Sequence, residues 1–244
     1  MAIGFTRRTV GAAPLLLARR HDVASPAPLV LWLHGFRAES EVHRPELARV
    51  AEAGFLVAAV DAVGHGHRHD PALDAEVARR GALPVMLEQV RVTAWELPAI
   101  VDALVADGLA DASRVSAVGI SMGGYLAYHA VTTTPRIRTV IALLGSPEWP
   151  DGDGPARHLD AFRDVALLSI TAEHDASVPP DAARRFHAAL VAAYPDARAA
   201  YHELRGAVHL MSAEHWEQAM AATHAWLGRY GTRTGGVAES PAER

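Results

Sequence analysis

The sequence predicts an α/β fold: a mostly parallel central sheet flanked by helices, with no large cap domain. Three observations carry that expectation. Short apolar runs are continuous rather than alternating, which suits strands covered on both faces. Most of these runs are followed by a longer segment of helical character, the alternation expected of parallel strands joined by crossover helices. The 244 residues, 50% of them hydrophobic, can bury a substantial core.

Taken in chain order, residues 3–10 and 14–21 read as two strands joined near Gly11, an antiparallel start to the sheet. Leu29 to Leu33 is a continuous apolar run that ends at His34-Gly35, and a helix is expected over 42–53. Phe55 to Val60 repeats the design and ends at Asp61. A polar loop then runs from Gly64 to Pro84, ahead of a helix over 85–107. The strand Val115–Ile120 leads into Ser121 and a helix over 122–133. Strands follow at Ile137–Leu144 and Val165–Thr171, with helices over 181–194 and 211–230 and a strand around His202 between them. No repeat or linker divides the chain, so residues 1–230 read as a single domain. Residues 231–244 are rich in Gly, Thr, Ser, Pro and Glu and read as a disordered tail.

Composition excludes several function classes. The formal net charge is −5 and no block of like charge occurs, so nucleic acid is not an expected partner. No run approaches the roughly 18 apolar residues of a spanning helix, so no membrane partner is expected. The absence of Cys removes disulfides, thiolate metal sites and a Cys nucleophile. Pro14-Leu15-Leu16-Leu17-Ala18 is too short for a secretory h-region and is broken by Arg19-Arg20, so a cytoplasmic location is expected. Neither G-x-G-x-x-G nor a Walker A sequence is present, which leaves nucleotide binding without support.

In open α/β sheets ligands sit beyond the carboxyl ends of the strands. Those ends read His34-Gly35, Asp61, Ser121 and Asp175. Gly119-Ile120-Ser121-Met122-Gly123 matches G-x-S-x-G, and 19 Gly with 10 Ser make far less than one chance match. The spacing has a physical reason. A Ser at a sharp strand-to-helix turn has a strained backbone, and Gly two positions either side relieves the crowding and pushes the hydroxyl out.

A Ser nucleophile needs a base and a group to orient that base. Asp175 stands at a strand end just before Val178-Pro179-Pro180, with Glu173 as a rival carboxylate inside the strand edge. His209 follows Gly206-Ala207-Val208 in a loop, whereas His202 falls in a strand and His215 in the last helix. The chain order is then Ser121, Asp175, His209. Two backbone N–H groups must face the developing oxyanion. Met122, directly after the nucleophile, supplies one, and Phe36, in the loop after His34-Gly35, is the natural second.

These features, in this order, resemble the α/β-hydrolase superfamily over nearly the whole chain. The His34-Gly35 loop, the Asp61 to Gly66 segment, the Ser121 elbow, and Asp175 with His209 carry the resemblance. Within it the chain is similar to small serine esterases, to dienelactone-hydrolase-like proteins and to the catalytic domain of prolyl oligopeptidases. Dienelactone hydrolases use Cys where this chain has Ser121, and haloalkane dehalogenases use Asp there. No propeller domain is expected within these 244 residues. The resemblance implies cleavage of carboxylic esters of small or medium acids through an acyl-enzyme, with a small-molecule ester as partner and neither cofactor nor metal. A thioesterase, lactonase, deacetylase or peptidase would use the same triad, and a silent binding protein would keep the fold without turnover. Substrate-binding residues and oligomeric state are left open, a homodimer included.

Other features carry blander readings. His65, His67 and His69 have the spacing of metal ligands on an extended segment, but His65-Gly66 already belongs to the hydrolase pattern. Asp151 and Asp153 read as a solvated turn rather than a Ca²⁺ site. Tyr125, Tyr128, Trp95 and Trp226 are expected in the core. The loops 64–84 and 147–163 are the two candidate lids, and the stretch between Ser121 and Asp175 has no room for a large cap, so a fairly open or lightly covered site taking small, unbranched acyl groups or a broad range of them is expected.

Overall fold

The computed structural model describes residues 2–233. Its strands are β1 (Ile3–Val10), β2 (Ala13–Arg20), β3 (Ala27–Leu33), β4 (Leu56–Val60), β5 (Ala110–Ile120), β6 (Ile137–Leu143), β7 (Ala166–Ala172) and β8 (Ala199–Leu204). They form one eight-stranded sheet in the order β1-β2-β4-β3-β5-β6-β7-β8. Pairing is antiparallel for β1 with β2 and for β2 with β4, and parallel from β4 through β8.

Every residue of β3, β4 and β7 is buried, which is why their apolar runs do not alternate. The helices are α1 (Arg44–Glu52), α2 (Leu73–Arg80), α3 (Ala82–Ala106), α4 (Met122–Thr133), α5 (Asp181–Ala193) and α6 (Ala213–Trp226). One face of the sheet, with Val30 and Trp32, packs on Leu47 and Val50 of α1 and Met220 of α6. The other, with Leu29, Leu31 and Leu33, packs on α3, α4 and α5 through Leu97, Leu126 and Phe186. Tyr125 and Tyr128 are buried in that second layer.

The structure departs from the sequence reading in four places. The loop 64–84 contains α2, whose single buried residue, Leu73, leaves almost no apolar stripe to announce it. α3 begins at Ala82, ahead of Pro84. A first-turn Pro is tolerated because its missing N–H has no intrahelical partner there. Farther along, Pro98 leaves the Ala94 carbonyl without its helical donor, and the Thr133 hydroxyl reaches it at 3.4 Å. Trp95 is not in the core: it is 72% exposed on the outer face of α3. The tail boundary also moves. Leu227–Gly231 continues α6 in a wider helical turn, and Gly231 is buried where a Cβ would meet the Phe55 ring at 3.0 Å. The remainder of the expected tail, 234–244, lies outside the described residues.

No large cap interrupts the fold among the described residues. Between β6 and β7 the chain forms only two short 3₁₀ turns, Pro155–Arg157 and Leu159–Phe162. No helix of the described residues is long and apolar enough to cross a membrane. The strand order reverses at β3: β4 lies on one side of it and β5 on the other. The carboxyl ends of β3 and β5, at His34 and Ser121, therefore flank the crevice where open α/β sheets bind ligands.

Candidate active site

Ser121 occupies the turn between β5 and α4 with φ 54° and ψ −113°, a conformation a side chain enters only under constraint. The constraint is the tight passage of strand into helix. A Cβ at Gly119 would lie 1.8 Å from the Gly123 carbonyl oxygen, and one at Gly123 would lie 2.0 Å from the Leu33 carbonyl oxygen. Both flanking positions of G-x-S-x-G are thus closed to any side chain. Gly124 and Gly145 approach each other in the same way beside the elbow.

The structure brings Ser121, His209 and Asp175 together. Ser121 Oγ stands 2.9 Å from His209 Nε2, and His209 Nδ1 stands 2.7 Å from Asp175 Oδ2. Asp175 is buried, and its other oxygen accepts the N–H groups of Ser177 and Val178 at 2.9 and 2.8 Å. Its direction is therefore set by the turn before α5, independently of His209. Glu173, the rival carboxylate, has a different task. It accepts the Gly206 N–H at 2.8 Å, while the His174 N–H donates to the Ala207 carbonyl at 2.9 Å, so the strand end grips the loop that carries His209. His202 points out of β8 into solvent, and His215 is taken up by the Arg205 carbonyl at 3.1 Å and the Ser212 hydroxyl at 3.2 Å.

Met122 opens α4 and Phe36 follows Gly35, whose Cβ position lies 3.7 Å from Ser121 Cβ. Neither backbone N–H is engaged by an acceptor among the described residues. The loop bearing Phe36 is held by two buried side chains. His34 Nε2 accepts the Ala62 N–H at 3.0 Å and Nδ1 lies 2.8 Å from the Gly35 carbonyl. Burial holds the His34 imidazole neutral, its pKa lowered to about 4. Asp61 accepts the Ser40 N–H at 2.8 Å and the His67 N–H at 3.0 Å. Burial would raise the Asp61 pKa, but these donated hydrogen bonds outweigh it and hold the carboxyl below its ordinary range.

The histidine run does not converge. His65 Nδ1 lies 2.9 Å from the Val63 carbonyl with its ring edge-on to Phe36, His67 turns to Asp61, and His69 is exposed. No group of three metal-type side chains comes together among the described residues. Asp151 pairs with Arg91 and accepts the Asp153 N–H at 3.1 Å, a turn rather than a ligand set.

Ser121 opens into a cavity of about 480 Å³. Its wall includes Phe36, Val42, His43, Leu144, Leu210, Met211 and Trp216, with none of the residues of 64–84 or 147–163. Neither candidate lid covers it. The 147–163 segment is pinned elsewhere, by Arg91 stacked 4.7 Å over Trp149 and by Arg185 paired with Glu148 at 2.6 Å. Apart from Phe36, sequence reasoning did not find these wall residues. One signal is conformational: among the described residues, Arg37, Ser121 and Leu144 are the non-glycine residues with positive φ, and two of them line this cavity.

Residues 30–238 match the profile of the Alpha/beta hydrolase family. A Bacillus subtilis (strain 168) protein that carries an esterase name, YitV, is 27% identical over 148 residues, 60% of this chain and 56% of its own length. The pimeloyl-[acyl-carrier protein] methyl ester esterase of Stenotrophomonas maltophilia (strain R551-3) is 28% identical over 153 residues, 59% of this chain and 49% of that one. The chain thus spans about half the length of the curated relatives it matches. Among solved structures, TT1662 from Thermus thermophilus superposes with a TM-score of 0.71 at 26% identity, covering 93% of this chain and 99% of that one. An acylaminoacyl peptidase from Pyrococcus horikoshii shares the fold at a TM-score of 0.70 and 19% identity, covering 97% of this chain and 43% of that one.

Proposed function

The chain belongs to the Alpha/beta hydrolase family, and from that premise we propose that it is a serine carboxylesterase acting on esters of small or medium acids. The observation that carries this reading is the continuous hydrogen-bonded path from Ser121 Oγ through His209 to Asp175, at 2.9 and 2.7 Å. In the mechanism this supports, Ser121 Oγ attacks the ester carbonyl carbon as its proton passes to His209 Nε2. Asp175 keeps the Nδ1 proton directed toward itself and stabilises the imidazolium. The carbonyl oxygen becomes negative and is met by the Phe36 and Met122 N–H groups, each worth roughly 3–4 kcal/mol in barrier. The His209 proton then goes to the departing alcohol. Water, deprotonated by the same nitrogen, releases the acid from the acyl-enzyme. The esterase names of the relatives favour an ester over the thioester, lactone or amide that the same residues would also attack.

The test is hydrolysis of a p-nitrophenyl ester series, acetate to decanoate, by the wild type and Ser121→Ala. Wild-type turnover that falls at least about 10⁴-fold in the variant supports the reading. Equal rates in the two proteins would remove Ser121 from the chemistry. Turnover of thioesters or amides alone would replace the ester by that substrate.

A further inference from the structure

Resting on the esterase reading, we propose that His43 is the specificity-determining residue of the site, a hydrogen-bond acceptor that favours esters whose chain carries a hydroxyl or N–H group over plain alkyl esters. The cavity wall beyond Ser121 and His209 is otherwise apolar or already committed. Val42, Ile120, Leu144, Leu210 and Met211 offer no N–H or O–H, and Trp216, which has one, spends it on Glu46 Oε1 at 2.9 Å. His43 is the remaining polar side chain on that wall. Neither of its ring nitrogens has a hydrogen-bond partner among the described residues.

The ring is held for this role rather than left loose. It sits 5.8 Å from the Trp32 ring and 6.4 Å from the Trp216 ring, nearly parallel to the latter at 28°. Behind it stands Glu46, whose Oε2 is buried without a partner and lies 4.0 Å from His43 Nδ1. That separation is too long for a hydrogen bond, but a carboxylate there favours the tautomer with its proton on Nδ1. Nε2 is then left with a lone pair, which can only accept. Burial lowers the His43 pKa against the opposing pull of Glu46, which keeps that lone pair free at neutral pH. A substrate hydroxyl or amide N–H completes an interaction that an alkyl group leaves unmade.

The experiment measures kcat/KM for matched pairs of esters in which a hydroxyl replaces a methyl of the same size. The hydroxyl is placed at successive carbons of the acyl chain in one set and of the alcohol chain in another. Wild type is compared with His43→Phe, which keeps a ring without nitrogens, and with His43→Gln, which restores an acceptor. The expected result is a preference of about three- to tenfold for at least one hydroxylated ester in the wild type. That ratio falls to one or below in His43→Phe and partly returns in His43→Gln. The same ratio in wild type and His43→Phe, or no preference in any pair, overturns the proposal. Absence of turnover on every ester by the wild type would instead bring down the esterase reading, and this proposal with it.

Discussion

His34 Nε2 accepts the Ala62 N–H at 3.0 Å, joining the carboxyl ends of β3 and β4 beside the crevice that Ser121 borders. The bond works in one protonation state only. With a proton on Nδ1 the ring donates to the Gly35 carbonyl, 2.8 Å away, and keeps the Nε2 lone pair for Ala62. Protonation of Nε2 would set two N–H groups against each other in a buried place. The loop that presents the Phe36 N–H is thus fixed by a neutral histidine.

Stability should therefore fall with acid through His34. Its folded pKa, about 4, lies below the ordinary 6.5, so the unfolded chain takes up a proton first and stability is lost as pH drops from 6.5 toward 4. Between pH 6.5 and pH 5 the loss amounts to about 2 kcal/mol from this residue. His34→Gln keeps a donor and an acceptor but does not titrate. Urea unfolding at pH 7 and pH 5 should show the variant losing about 2 kcal/mol less than the wild type. Equal losses in the two proteins would mean that His34 is not held neutral.

Gly66→Ala should destabilise the protein by about 3 kcal/mol. Gly66 has φ +55°, and a Cβ there would fall 2.3–2.5 Å from the carboxyl atoms of Asp61. The clash displaces the carboxylate that accepts the Ser40 and His67 N–H groups. A loss of unfolding free energy less than a fifth of that size in urea titration would show that Asp61 can move at little cost.

How much of this was readable from the sequence follows from what each residue must satisfy locally. Ser121 was legible because its backbone conformation forbids side chains at Gly119 and Gly123, which writes the constraint into adjacent positions. Asp175 and His209 were legible through their strand-end and loop positions, and the structure brings both to Ser121. The cavity wall was not. Val42 and His43, in the short 3₁₀ turn Ser40–His43 ahead of α1, line one cavity with Trp216 of α6, far apart in the chain, and no local rule marks them. Trp95 misled because a large aromatic on a long helix usually faces inward, whereas here it lies on the outer side of α3. α2 escaped because its polar composition buries only Leu73.

Gly123→Ala tests the elbow itself. Its added methyl would lie 2.0 Å from the Leu33 carbonyl oxygen and 2.9 Å from that of His34, both backbone atoms that no rotamer change can move. Strand β3 and helix α4 would have to separate, so folding yield and melting temperature should both drop sharply, with a loss above about 3 kcal/mol where the variant folds at all. Gly228→Ala is the control, because nothing lies within 4 Å of its Cβ position. Near-native melting of Gly123→Ala would contradict the close approach at the elbow.

Asp175→Asn separates the proposed catalytic role of the carboxylate from its role in the fold. Asn keeps a carbonyl oxygen for the Ser177 and Val178 N–H groups, which Asp175 Oδ1 accepts at 2.9 and 2.8 Å, so the turn before α5 should survive. The amide nitrogen then faces His209 Nδ1, 2.7 Å from the present Oδ2 position, and can only donate. Nδ1 must accept, which drives the imidazole proton to Nε2. That proton now points at Ser121 Oγ, 2.9 Å away, and the ring can no longer take the hydroxyl proton. The expected outcome is a fall in kcat of about 10⁴-fold with KM changed far less and the melting temperature close to that of the wild type. Steady-state kinetics on p-nitrophenyl butyrate together with a thermal melt decide it. A folded variant retaining more than a tenth of the wild-type kcat would remove Asp175 from the proposed machinery, whereas a matching loss of stability would make it a structural residue.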